Sequence, residues 1–185
     1  MQTFWAPEFH MIGGRLSILF AVSGKAWGPQ CQIMQLKDGA KPDDPDGWTA
    51  PRPILRRDGS PLAVLPEITL DMTCIHGRTT YVVWSQRNHI GTPMDTGSML
   101  YIAELNEEEP WKLASEPVLL SRPLFGWENV AGTINNEGPY ALVQDGKVWL
   151  TYSGGSANGF TYVVGLLTAD AGADLLKTEN WTKNP

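Results

Sequence analysis

Three times along the chain, a short run rich in apolar residues meets a tight turn closing on Gly and a basic residue, and a second run then ends on an aromatic. The first copy runs from Glu8 to Ile12, turns at Gly13-Gly14-Arg15 and returns through Leu16 to Phe20. The second runs from Asp71 to Ile75, turns at His76-Gly77-Arg78 and returns through Thr79 to Trp84. The third runs from Pro139 to Gln144, turns at Asp145-Gly146-Lys147 and returns through Val148 to Tyr152. Turn chemistry of this kind predicts β-hairpins. A third strand is expected after each, over Cys31 to Leu36, Ser98 to Leu105 and Phe160 to Thr168, with an outer strand at Pro117 to Ser121. The unit is therefore a meander. Its period, read from the turn glycines, is 63 positions from Gly14 to Gly77 and 69 from Gly77 to Gly146. Such a period is too long for a solenoid repeat and suits a propeller blade with generous loops. A single β-sandwich of about nine strands would share the alternation, but the repeated hairpin favours the propeller. Three units do not close a ring, since propellers need about four to eight blades.

Composition narrows the function without naming it. Twenty acidic against 14 basic residues give a formal charge of -6, which argues against a nucleic-acid backbone or an anionic membrane surface as partner. No apolar run reaches the roughly 20 residues of a membrane span, and Met1 to Met11 lacks the basic flank and apolar stretch of a signal peptide. Cys31 and Cys74 stand 43 positions apart without metal-ligand spacing, so neither a disulfide framework nor a metal site is indicated. No cofactor motif is present. The triplet Asn180-Trp181-Thr182 is a glycosylation sequon that matters only in a secretory compartment. Nineteen Gly, 14 Pro and 8 Trp fit many turns and short strands, with aromatic rings available to flat ligands.

A carboxylate opens each hairpin: Glu8, Asp71 and Glu137, spaced 63 and 66 apart. If the repeat makes these positions equivalent, first strands lining a central channel bring the three together near the axis. Like charges held close raise the pKa of at least one, which is how a carboxylic acid remains protonated near neutrality and serves as a general acid. Glycosidic bond hydrolysis needs such an acid and a second carboxylate. Trp5, Trp84 and Trp127 flank these positions, and indole faces stack on the apolar faces of sugars. His10 reads as a hydrogen-bonded structural imidazole.

Six segments then occur in a telling order: Trp5-Ala6-Pro7-Glu8-Phe9-His10, Leu70-Asp71-Met72-Thr73, Tyr81-Val82-Val83-Trp84-Ser85-Gln86, Asn136-Glu137-Gly138-Pro139, Leu150-Thr151-Tyr152-Ser153 and Trp181-Thr182-Lys183. In this order and spacing the chain resembles glycoside hydrolase family 43 over nearly its whole length, and most closely the α-L-arabinofuranosidase members. The resemblance implies an all-β, five-bladed propeller of which about three blades, resembling the second to fourth, are present. It also implies an inverting mechanism with acid and base about 6.5 to 9.5 Å apart. By motif, Glu137 is the general acid and Asp71 the carboxylate that holds the acid's pKa up and orients the sugar. Trp5, Glu8, Trp84 and Trp127 are expected to contact substrate, Glu8 without a chemical role. The family's general base lies upstream of the Trp-Ala-Pro-Glu segment, where only Met1 to Phe4 stand here, so no base is expected. Also missing is the last-blade Gly-His-Asn segment. Asp43, Asp44 and Asp46 read as a solvated loop rather than a replacement base.

These readings predict one partial propeller over residues 1–185, in units of about 4–60, 61–125 and 126–185. The expected partner is an arabinose-containing oligo- or polysaccharide, cleaved at terminal α-L-arabinofuranosyl linkages without metal or cofactor. A β-xylosidase or an endo-arabinanase of the same family, or an inactive carbohydrate-binding fragment, are the alternatives. Open blade faces predict self-association. Location is left open, extracellular if the whole protein follows the resemblance.

Overall fold

The computed structural model describes residues Thr3–Asn184, and among them twelve strands build three four-stranded antiparallel sheets. The first holds β1 (Thr3–Ile12), β2 (Arg15–Ser23), β3 (Gln30–Gln35) and β4 (Arg52–Pro53). The second holds β5 (Ile68–His76), β6 (Thr80–Arg87), β7 (Ser98–Glu104) and β8 (Val118–Ser121). The third holds β9 (Asn136–Gln144), β10 (Lys147–Gly154), β11 (Val163–Asp170) and β12 (Trp181–Asn184). Each sheet is a meander in which chain order equals spatial order, the plan of a propeller blade. The remaining terminal residues, Met1, Gln2 and Pro185, lie outside the described residues.

The turns follow local chemistry. Gly13-Gly14 and Asp145-Gly146 each form a two-residue connection with φ positive at both positions, the backbone that matches the right-handed twist of flanking strands. The second hairpin departs from the expected plan. His76 pairs with Thr80, so the connection is Gly77-Arg78-Thr79, and Gly77 does not take a positive φ. The last inner meander strand also begins at Val163 rather than Phe160, because Asn158 to Thr161 form a turn.

Sheets stack face to face, and the middle one is covered on both sides. Val82 and Trp84 of β6 join Ile12, Leu19, Ile33, Met72 and Cys74 in one core, while their neighbour Val83 joins Leu100, Ile102, Val148, Leu150 and Tyr152 in the next. Successive side chains of a strand point to opposite faces, so a strand buried on both faces must be apolar almost throughout. That is why Val82 to Gln86 is buried without a break. By contrast β10 has one covered face: Val148, Leu150 and Tyr152 are buried, whereas Lys147 and Trp149 are exposed. The inner strands β1, β5 and β9 lie side by side, with β5 touching both of the others. Residues on these three strands therefore meet.

Candidate active site

One irregularity recurs in every sheet. On β1, Ala6 and Pro7 together oppose Phe20; on β5, Asp71 and Met72 oppose Trp84; on β9, Gly138 and Pro139 oppose Tyr152. Two residues facing one define a β-bulge, which bends the strand and re-aims the side chains around it. The first bulge residue is left-handed each time, with φ of 45° at Ala6, 54° at Asp71 and 56° at Gly138. The aromatic opposite is fully buried each time. The structural equivalents are thus Ala6, Asp71 and Gly138. This corrects the expectation that Glu8, Asp71 and Glu137 are equivalent: Glu8 stands directly after its bulge, Asp71 is the first residue of its own, and Glu137 stands one residue before its bulge.

The offset between Asp71 and Glu137 is what joins them. Because Gly138 is left-handed, its backbone N–H is free of the ladder and donates to Asp71 Oδ2 at 3.1 Å, tying β9 to β5 and setting Glu137 beside Asp71. Burial, followed by the negative charge of Glu137, pushes the Asp71 carboxyl up to about 6; the Gly138 hydrogen bond opposes this and Glu8 adds to it. The Asp71 carboxyl therefore holds its proton well above the ordinary carboxylate range. Tyr162 completes the cluster. Burial pushes its hydroxyl up to about 12, against a lowering contact with Ser153, and the charges of Glu137 and Asp71 add to the rise. Tyr162 escapes sequence reasoning because it falls inside the strand expected over Phe160 to Thr168, whereas it lies in the loop just before β11.

Behind Glu137 stands a buried polar buttress. Glu128 is wholly buried and ion-paired with Lys183 Nζ at 2.6 Å. It also accepts from Tyr152 Oη at 2.8 Å, Asn136 Nδ2 at 2.7 Å and the Phe125 backbone N–H at 2.7 Å. Lys183 donates further to the Arg122 carbonyl and to Asn136 Oδ1, and burial lowers its pKa. Ser121 donates to the same Asn136 oxygen. A buried charge is tolerated only when paired and hydrogen-bonded, and this one is satisfied on both oxygens. The network fixes Asn136, and with it the direction of the adjacent Glu137. It also explains the Trp181-Thr182-Lys183 segment, whose Lys supplies the counter-charge from β12. Glu128 carries no motif of its own; its signal is only a carboxylate beside Trp127, with its counter-charge in the far-downstream segment Trp181-Thr182-Lys183.

On its open side Glu137 borders a cavity of about 420 Å³ shared with Arg87, Asp95, Ser98 and Asn135. The Arg87 guanidinium grips Asp95 with two hydrogen bonds of 2.8 and 2.7 Å, holding that carboxylate well below its usual range. Asp95 also accepts from the Gly91 and Gly97 N–H groups, so the pair staples the loop over residues 88–97 along one wall. Asn135 is 5% exposed, and among the described residues its Oδ1 has no hydrogen-bond partner.

Other expected site residues are distributed differently. Trp5 is partly exposed and stands one residue before its bulge, as Glu137 does. Glu8 is turned inward: its Oε2 accepts from Thr73 at 2.8 Å and lies 2.8 Å from His10 Nε2. Trp84 is 0% exposed, with its indole N–H on Gln86 Oε1, so its expected contact with sugar is corrected: packing between two sheets removes it from solvent. Trp127 stacks between Phe125 and Tyr152 over the backbone of Gly154 and Gly165, on the face of the third sheet. Asp43, Asp44 and Asp46 are exposed, Asp44 capping a single 3-10 turn. Among the described residues no helix is long and apolar enough to cross a membrane.

The profile of glycosyl hydrolases family 43 matches residues 1–185. An extracellular exo-α-(1→5)-L-arabinofuranosidase of Streptomyces chartreusis is 36% identical over 183 residues, covering 98% of the chain and 51% of that protein. α-L-Arabinofuranosidase 43 of Humicola insolens is 35% identical over 185 residues, covering 97% of the chain and 35% of that protein. The crystal structure of an α-L-arabinofuranosidase from Lactobacillus brevis superimposes with a TM-score of 0.80 at 32% identity, covering 98% of the chain and 54% of that structure. The chain thus spans about half the length of the first of these relatives and about a third of the second.

Proposed function

The chain belongs to glycosyl hydrolases family 43, and from that premise we propose that it forms the acid-bearing part of an inverting α-L-arabinofuranosidase, acting on terminal α-L-arabinofuranosyl groups of arabinan or arabinoxylan. The observation that carries this reading is the pairing of Glu137 with Asp71 across two sheets, fixed by the Gly138 N–H. Glu137 is the general acid that protonates the leaving oxygen. Asp71 places negative charge beside it and orients the sugar, with Tyr162 next to both carboxylates; Trp5 is proposed as a further sugar contact. The substrate assignment is supported by the arabinofuranosidase relatives that the chain matches over nearly all its length. The Streptomyces relative is extracellular, and the same location is proposed for the whole protein. A carboxylate base completing the inverting pair is assigned to the part of the ring outside residues 1–185. On the same reading this chain, taken alone, associates with itself through its open apolar sheet faces.

The test is hydrolysis of chromogenic α-L-arabinofuranoside and β-xyloside by the protein carrying the complete ring, with Glu137→Gln as control. Arabinoside is expected to be preferred, and Glu137→Gln to lower kcat by about 10² to 10⁴-fold with KM little changed. Preference for the xyloside, or a Glu137→Gln enzyme of normal turnover, would overturn the assignment.

A further inference from the structure

At the far end of the inner strands from Asp71, the first two sheets bring together His10, Cys74 and His76, and we propose that these three side chains form a site for a divalent cation of the zinc class. His76 lies five residues beyond Asp71 on β5, about 16 Å along an extended strand. Cys74 and His76 are two residues apart and share a face, the one on which Cys74 packs with Ile12 and Leu19 of the first sheet. His10, near the end of β1, closes the group from across the sheet boundary. One ligand atom from each lies within 4.8 Å of the others. His10 Nδ1 and His76 Nε2 are 3.3 Å apart. Two imidazole nitrogens bound to one tetrahedral zinc at about 2.0 to 2.1 Å stand about 3.4 Å from each other.

The surrounding hydrogen bonds dispose both rings for coordination. Glu8 Oε2, a pure acceptor held by Thr73, faces His10 Nε2 at 2.8 Å, so the proton of that ring sits on Nε2 and the Nδ1 lone pair points inward. Thr80 Oγ1 spends its proton on Glu107 at 2.6 Å and lies 3.5 Å from His76 Nδ1, where it has only a lone pair to offer. The proton of His76 then belongs on Nδ1, leaving Nε2 as a second inward lone pair. Two acceptors facing each other at 3.3 Å call for a cation between them. Each imidazole also has its far nitrogen backed by a carboxylate, directly for His10 and through Thr80 for His76, the outer-shell arrangement that orients histidine ligands. Cys74 supplies a soft third donor and loses its thiol proton to solvent on binding. His76 is exposed, so water takes the fourth position. Sequence spacing misses this site because its ligands come from two repeats 64 to 66 positions apart. It would clip the first sheet to the second.

Isothermal titration of the untagged, chelator-treated protein with ZnCl2 tests the proposal, alongside Cys74→Ala, the exposed-site variant His76→Gln, and Glu8→Gln. One Zn²⁺ per chain is expected, with a rise in melting temperature that grows with metal concentration. Co²⁺ is expected to give a thiolate charge-transfer absorption that Cys74→Ala abolishes. His76→Gln should weaken zinc binding at least 100-fold and Glu8→Gln by about 10- to 100-fold. Absence of saturable uptake, or uptake that Cys74→Ala and His76→Gln both leave unchanged, overturns it. Neither result bears on Glu137, so the site stands or falls apart from the glycosidase reading.

Discussion

Asp71 is placed where its charge is opposed twice, by burial and by the carboxylate of Glu137, and its folded-state pKa rises from the ordinary carboxylate range to about 6. A raised carboxyl pKa means that the folded state holds the proton more tightly than the unfolded chain. Stability from this group is therefore fully present below about pH 4 and is lost as pH rises through about 6, by something on the order of 3 kcal/mol. Asp71→Asn removes that loss. The amide oxygen still accepts from the Gly138 N–H, and Asn tolerates the left-handed backbone at least as well as Asp. Urea unfolding at pH 4 and pH 7.5 should find the variant more stable than the parent only at the higher pH, while turnover of the complete enzyme falls on the order of 100-fold or more. A stability gain of equal size at both pH values would mean that backbone strain, not charge, is what the substitution relieves.

At the scale of single elements, the recurrent bulge decides which side chains of the inner strands meet. Its first residue must be left-handed, and the three sheets use Ala6, Asp71 and Gly138 for it. A Cβ at Gly138 would find nothing nearer than Ser153 Oγ at 3.8 Å, so room is not what requires glycine there. Gly138→Ala is accordingly expected to cost about 1 kcal/mol, the penalty of a left-handed residue with a Cβ, and to keep the backbone N–H on Asp71. Chemical denaturation would measure the first and kcat the second, which should fall less than tenfold. A loss above about 3 kcal/mol would show that the bulge itself had rearranged. This element also marks where sequence reading stops. Hairpins, their third strands and the outer strand at Val118–Ser121 are legible because turn residues and period-2 alternation are local signals. Bulge register is not: counting from hairpin starts aligned Glu8 with Asp71 and Glu137, whereas pairing with Phe20, Trp84 and Tyr152 aligns Ala6, Asp71 and Gly138. Trp84 was misread for a related reason. An aromatic at a strand end looks the same in sequence whether its strand is covered on one face or on two. Glu128 and Tyr162 carry no local motif, since the counter-charge of Glu128 lies 55 residues away and Tyr162 itself sits in irregular backbone.

Across the whole molecule, the two outer sheets each turn an apolar face away from the middle one. On the third sheet Tyr140, Leu142, Trp149 and Val164 are 59%, 53%, 39% and 73% exposed. They are neighbours on the strand ladder, where Trp149 pairs with Leu142 and Thr151 with Tyr140. On the first sheet Phe9 and Met11 of β1 are likewise exposed. Contiguous apolar surface of this kind is uncommon on monomers and drives association when nothing else covers it. Because the two faces differ in sequence, the first sheet of one copy against the third of another is a heterologous contact, which either closes into a ring or continues into open assemblies. Two three-sheet copies joined at both faces would make six blades, within the range that propellers close. Sedimentation velocity of the 185-residue chain is therefore expected to show concentration-dependent species larger than monomer. Leu142→Lys, which puts a charge at the centre of the third-sheet face without touching the buried side of β9, should return it towards monomer. Monomeric behaviour of the parent chain at tens of micromolar would mean that these faces are tolerated in water. Association that survives Leu142→Lys would place the contact elsewhere.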